Sequence, residues 1–174
     1  MTSIAQPLVT VVTPVYNGEK YLAECIESVL AQTYQNWEYY IVNNRSTDRT
    51  LSIAESYASK DARVRVITNP EFVSRGENHN IAFRQTSLNS RYCKMVHADD
   101  WLFPDCIAKM VALAEAHPTV AVVGSYGLRK DRVVWDGLPY PSSFMSLVGA
   151  LRRWTGTGRE ASLPTKARAA FQAL

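Results

Sequence analysis

This chain has no apolar run approaching the length that spans a bilayer. Its first residues, Met1-Thr2-Ser3-Ile4-Ala5-Gln6-Pro7, carry neither the basic start nor the apolar centre of an export signal, so a cytoplasmic protein is expected. Cysteine is scarce: Cys25, Cys93 and Cys106 are an odd number, far apart, each inside an apolar segment. That argues against a disulfide framework or a zinc cluster and for small buried thiols in a reducing compartment. Histidine is equally sparse, and His79, His97 and His117 do not stand at metal-ligand spacing. Nor is positive charge in surplus over the body of the chain. The net charge is +3, yet residues 1–144 hold 14 Lys+Arg against 15 Asp+Glu. The excess sits in residues 145–174, where Arg152, Arg153, Arg159, Lys166 and Arg168 face Glu160 alone. No nucleic-acid footprint over the folded body is expected, while the basic tail leaves a peripheral contact with an anionic membrane face open.

What the sequence has is alternation. A length of 174 residues with 47% hydrophobic content suits one globular domain with a self-sufficient core. Short β-branched or aromatic runs predict strands at Leu8–Thr13, Trp37–Val42, Arg63–Ile67, Tyr92–Val96 and Val120–Gly124. Between them, helices are predicted over Glu19–Thr33, Asp48–Ser59, Arg75–Thr86 and Pro104–His117. The first helix places Tyr21, Leu22, Cys25, Ile26, Val29 and Leu30 on one face. Strand and helix in turn imply an α/β domain with a mainly parallel sheet, whose ligands bind beyond the carboxyl ends of the strands. Polar clusters fall at three such ends: Pro14 to Asn17, Asn43 to Asp48, and Asp99-Asp100.

The acid pair is the sharpest of these. Adjacent side chains on a strand point to opposite faces, so Asp99 and Asp100 can address two parts of one ligand. Neighbouring carboxylates also repel unless a cation or several donors lie between them, which suggests a bound divalent ion. The competing explanation is a pair of acids favoured by the start of the helix at Pro104.

Four ordered segments carry a family resemblance over about residues 8–140. Val11-Val12-Thr13-Pro14-Val15-Tyr16-Asn17-Gly18, followed by Leu22 to Ser28 and Leu30-Ala31-Gln32-Thr33-Tyr34, resembles the opening of an inverting glycosyltransferase of family 2. Val42-Asn43-Asn44-Arg45-Ser46-Thr47-Asp48 resembles that family's Val-Asp-Asp-Gly-Ser-Thr-Asp turn. Asn78-His79-Asn80-Ile81-Ala82 resembles its Arg-Asn-x-Gly-Ile helix, and Ala98-Asp99-Asp100 through Phe103-Pro104 its Asp-x-Asp region. The resemblance implies a GT-A fold, a Rossmann-like three-layer α/β domain, over residues 1–144. It also implies a nucleotide-diphosphate sugar as donor, a UDP-sugar first with dTDP and GDP as alternatives, and a saccharide or lipid-linked acceptor.

The same resemblance assigns roles. Thr13, Pro14, Val15, Tyr16 and Asn17 would hold the nucleotide, with the backbone and Tyr16 against the base. Arg75 and Asn80 would line the diphosphate and donor sugar, and Asp99 would bond the ribose or a sugar hydroxyl. Asp100 would bind Mn²⁺ or Mg²⁺ bridging the two phosphates, a hard ion that prefers oxygen ligands. Asn43 and Asn44 would read the base, but they stand where the family has two Asp, so one acceptor gains an NH₂ donor and loses its charge. Arg45 replaces a Gly that would leave the turn unrestricted.

Two features of the family are missing. An inverting transfer needs a base for the acceptor proton, which the family places in a later Glu-Asp motif, and Glu160 is the only acid after Asp136. The Ala/Arg/Gly/Thr-rich residues 145–174, with a short helix expected at Lys166 to Leu174, match nothing in the pattern. These gaps suggest a truncated transferase with an out-of-frame or disordered tail, or, alternatively, a non-catalytic nucleotide-binding module derived from one. A nucleotidyltransferase would want a Gly-rich phosphate loop, which Pro14-Val15-Tyr16-Asn17-Gly18 is not.

Overall fold

The computed structural model describes residues 6–124 and the strand backbone at 127–129 and 132–134. The elements run β1 (Val9–Val15), α1 (Leu22–Leu30), β2 (Trp37–Asn43), α2 (Thr50–Ala58), β3 (Val64–Thr68), α3 (Arg75–Phe83), β4 (Tyr92–Met95), α4 (Cys106–Ala116), β5 (Gly127–Arg129) and β6 (Arg132–Val134). Two compact units divide after Ile107. The first holds a wholly parallel sheet in the order β3-β2-β1-β4. In the second, β5 and β6 pair antiparallel, Gly127 opposite Val134. Among the described residues no helix is long and apolar enough to cross a membrane.

β1 is central and every one of its residues is buried, as expected of a parallel strand covered on both faces. It runs through Pro14 instead of stopping before it. The Val12 carbonyl accepts from the Val96 N–H at 3.0 Å, and the Val15 carbonyl accepts from the Asn44 N–H at 2.8 Å. Alternate residues therefore address opposite edges, and Pro14 faces the β4 side, where pairing ends at Val12 with Met95. Its missing N–H costs the ladder nothing there.

α1 buries Leu22, Cys25, Ile26 and Val29, a helical stripe against the sheet, whereas Tyr21 is exposed and leaves the predicted apolar face. α3 starts at Ser74, whose hydroxyl accepts from the Glu77 N–H at 3.2 Å. This Ser-x-x-Glu start fixes a helix of weak apolar periodicity. After α4 the predicted strand at Val120–Gly124 does not form; the next strand is β5. A β-branched run becomes a strand only where its backbone groups find a ladder partner, and at Val120 the N–H turns back to the His117 carbonyl instead. Residues 145–174, and the short helix expected there, lie outside the described residues.

The chain order sets where a ligand can enter. From β1 the sheet grows through β2 to β3, then β4 returns to the other side of β1. The carboxyl ends of β1 and β4 thus flank a topological switch point, where neighbouring connections diverge and leave a crevice.

Candidate functional site

A cleft of about 460 Å³ opens at that switch point. Its walls come from the end of β1 and the loop after it (Pro14 to Gly18), from Asn44 and Phe72, from Arg75, Asn78 and His79 of α3, and from His97-Ala98-Asp99 after β4.

Beneath it lies a set of buried hydroxyls and a thiol. The Thr13 hydroxyl donates to the Val96 carbonyl at 2.8 Å and lies 2.8 Å from the Tyr39 hydroxyl. The Cys25 thiol donates to the His97 carbonyl at 3.4 Å. Burial pushes this thiol up to about 11, against the hydrogen bonds from Tyr39 and Thr13 and with help from the charges of Asp100 and Asp99, so it keeps its proton. These groups set the path of the chain from Val96 to Asp99.

The first loop is stitched to the turn after β2. Asn17 adopts a left-handed backbone, φ 49°, and its Oδ1 accepts from the Thr47 N–H at 2.9 Å. The Asn17 N–H reaches Ser46 Oγ at 3.0 Å, the Gly18 N–H reaches Thr50 Oγ1 at 2.8 Å, and the Glu19 N–H reaches Asp48 Oδ2 at 3.1 Å. Partial burial works against the Asp48 charge, but the Thr50 hydroxyl and N–H and the Glu19 N–H hold its carboxyl below the usual range. Ser46-Thr47-Asp48 therefore supports the cleft wall. Arg45 takes φ 56°, so the turn keeps the left-handed geometry of a glycine despite its side chain, which donates to the Pro70 carbonyl at 3.0 Å.

Aromatic surface faces the opening. Tyr16 and Phe72 are 49% and 60% exposed and meet edge to face with centroids 4.9 Å apart. Exposed rings of this size offer a flat ligand somewhere to stack. Behind them, Asn44 is buried with its amide held by the main chain of Val73. Across the cleft, the His79 and His97 rings lie 5.2 Å apart, and His79 Nδ1 is 2.6 Å from the Arg75 carbonyl. A carbonyl only accepts, so Nδ1 carries the hydrogen. Burial first, then the neighbouring His79 and Arg75, lower the His97 pKa, against Asp100 and Asp99.

The cleft gathers seven of the sequence-predicted residues: Pro14, Val15, Tyr16, Asn17, Asn44, Arg75 and Asp99. Four others stand outside its lining. Thr13 and Asn43 are fully enclosed, the latter accepting from the Ser46 N–H at 3.0 Å. Asn80 turns to Glu77, and Asp100 follows Asp99 in a turn closed by its N–H on the His97 carbonyl. Among the described residues no three His, Cys, Asp or Glu side chains gather as a metal cluster. A divalent cation would fit beside Asp99 only by drawing the rest of its shell from water and from ligand oxygens, which is how Mg²⁺ commonly binds.

Compared with known proteins, residues 10–170 match the glycosyl transferase family 2 model. The chain belongs to glycosyl transferase family 2. Among family members, it is 35% identical over 120 residues to an uncharacterized glycosyltransferase of Haemophilus influenzae, covering 69% of this chain and 36% of that protein. It is 35% identical over 145 residues to the putative glycosyltransferase EpsE of Bacillus subtilis, covering 78% of this chain and 50% of that protein. The chain thus spans half or less of the length of these relatives. Among solved structures, TarS of S. aureus in complex with UDP-GlcNAc matches with a TM-score of 0.58 and 27% identity, over 63% of this chain and 32% of that one. The mannosyltransferase PcManGT of Pyrobaculum calidifontis, in complex with GDP-Man and Mn²⁺, matches with a TM-score of 0.60 and 26% identity, over 68% and 35%. The architecture of this family 2 member is accordingly the GT-A fold.

Sequence reasoning missed Phe72, Tyr21, Asn78 and the His79–His97 pair as cleft residues. The Ser74-x-x-Glu77 cap was a signal for α3, and it would have put Asn78 at the end of the first turn and His79 at the start of the second.

Proposed function

We propose that the cleft binds the nucleotide diphosphate of an activated sugar and that the chain supplies the donor-binding part of an inverting glycosyl transfer. The observation that carries this is the meeting, at the β1–β4 switch point, of an exposed aromatic pair with Arg75 and Asp99. A base stacks on Tyr16 and Phe72. Arg75 offers a forked cation to phosphate oxygens, and it opens α3, whose N-terminus adds a favourable dipole. Asp99, the carboxylate of the cleft lining, is the residue we place against the cation and sugar, with Asp100 one step outside. A bound Mn²⁺ or Mg²⁺ supplies Lewis-acid stabilisation of the departing diphosphate. The chain's own part is to seat the base, clamp the phosphates and fix the anomeric carbon for attack from the open side. The solved relatives support this reading through their UDP-sugar and GDP-sugar complexes.

Thermal unfolding with UDP, CDP, GDP and dTDP, with and without Mn²⁺, tests it. Saturation at a hundredfold over Kd should stabilise by about 2.7 kcal/mol and raise Tm by several degrees. No shift with any nucleoside diphosphate would sink the proposal. Hydrolysis of the bound donor separates an enzyme from a binding module.

A further inference from the structure

Four asparagines, Asn43, Asn44, Asn69 and Asn78, are buried around the end of β2 with 1%, 3%, 2% and 4% exposure. Main-chain groups orient the amides of Asn43, Asn44 and Asn78, and the Asn69 amide donates to Asn44 Oδ1 and Asn78 Oδ1. Asn44 Oδ1 accepts the Val73 N–H at 2.9 Å while its Nδ2 donates to the Val73 carbonyl at 2.8 Å. Turning that amide over would set oxygen against oxygen and N–H against N–H. The second lone pair of Asn44 Oδ1 is taken by Asn69 Nδ2 at 3.0 Å. The acceptor is full, and one N–H on Nδ2 remains for a ligand. Asn43 is closed in the same sense, its Oδ1 on the Ser46 N–H and its Nδ2 on Thr68 Oγ1.

Phe72, whose ring meets Tyr16, directly precedes Val73, whose main chain clasps Asn44. A base stacked on the aromatic pair therefore lies beside the Asn44 amide. The other two lining amides have engaged oxygens as well: Asn17 Oδ1 on Thr47, Asn78 Oδ1 on Asn69 Nδ2. Resting on the nucleotide-binding reading above, we infer that this chain reads the base through a donor, Asn44 Nδ2–H, the oxygens of the three lining amides each being engaged within the protein. Uracil and guanine bring an N–H to their pairing edge, which then loses a hydrogen bond on burial. Cytosine brings a lone pair at N3 beside O2. Between the two pyrimidines, the substrate class this favours is a cytidine nucleotide over a uridine nucleotide.

Titration calorimetry of the full chain with CDP and with UDP, both with Mn²⁺ near neutral pH, tests this. The expected result is a Kd for CDP equal to or below that for UDP. UDP binding tighter by about threefold or more overturns the inference and leaves the nucleotide-binding reading standing. Failure of CDP, UDP, GDP and ADP alike overturns that reading and the inference with it. Two variants probe the cause. Asn44→Asp supplies acceptors, and Asn69→Ala vacates one acceptor position on Asn44 Oδ1 without touching the Val73 clasp. Either one, folded by circular dichroism, should move the CDP-to-UDP preference toward UDP, by about tenfold for the carboxylate. An unchanged preference in a folded variant counts against the donor reading, and the wild-type comparison decides the matter if neither variant folds.

Discussion

Asn17 and Thr47 are joined twice: Asn17 Oδ1 accepts the Thr47 N–H at 2.9 Å and the Thr47 hydroxyl at 3.3 Å. The contact ties the loop after β1 to the turn after β2, and it is made from a left-handed residue at φ 49°. Asparagine suits both demands, since its short side chain bonds locally and tolerates that backbone. Asn17→Ala should lose the bonds and add backbone strain, destabilising by about 1–3 kcal/mol. Asn17→Gly loses the bonds but not the backbone freedom, so it should cost less than the alanine variant. Urea denaturation of both variants checks this, and equal losses would show that the φ of Asn17 carries no strain.

Gly18 is required for space. A Cβ there would stand 2.6 Å from Val15 Cγ2, on a side chain buried at 3% exposure, so one of the two must shift. Gly18→Ala should cost about 1–3 kcal/mol by overpacking. Val15→Ala removes the atom it strikes, so the double variant should be more stable than the sum of the two losses, by about 1 kcal/mol. Strict additivity in the cycle would place the strain elsewhere.

Much of the fold was legible because α/β alternation is written in periodicity: among the described residues the four parallel strands and the four helices overlap the predicted spans. The exceptions have local causes. β1 continues through Pro14 because the proline faces an edge whose ladder has already ended, and no property of Pro14 itself announces that. Val120 to Gly124 has strand composition without a partner strand, and composition cannot supply one. The cleft was legible where strand ends announce it, at Tyr16, Asn44 and Asp99. It was illegible where neighbours come from distant segments, as with Phe72 against Tyr16 or His79 against His97. The saturation of Asn44 depends on the main chain of Val73, which the identity of Asn44 does not encode.

The two acids should separate on mutation. Asp99 lines the cleft and Asp100 lies outside its lining, in the following turn. Asp99→Asn should abolish the Mn²⁺-dependent gain in nucleotide affinity, a loss of about tenfold or more, with little effect on binding measured without metal. Asp100→Asn should retain a measurable part of that gain. Calorimetry with and without Mn²⁺ reads both, and the reverse ranking would return the metal to Asp100.

Alkaline stability should report Cys25. Its thiol is pushed by burial from the ordinary 9.0 up to about 11, so the folded chain holds that proton more tightly than the unfolded chain. Such a group contributes stability that is whole below the unfolded pKa and is lost as pH rises through the folded one. Stability should therefore fall between about pH 9 and 11, by up to about 2–3 kcal/mol from this group. Tyr39, raised by its own burial and by Cys25, adds to the loss at higher pH, so the informative quantity is the difference from a variant lacking the thiol. Cys25→Ser keeps a donor for the His97 carbonyl and removes the titration. Its unfolding free energy should decline less steeply than that of the wild type across this window. Parallel declines would mean that the thiol is already exposed to solvent before global unfolding, and that the segment from Val96 to Asp99 is not held from below by Cys25.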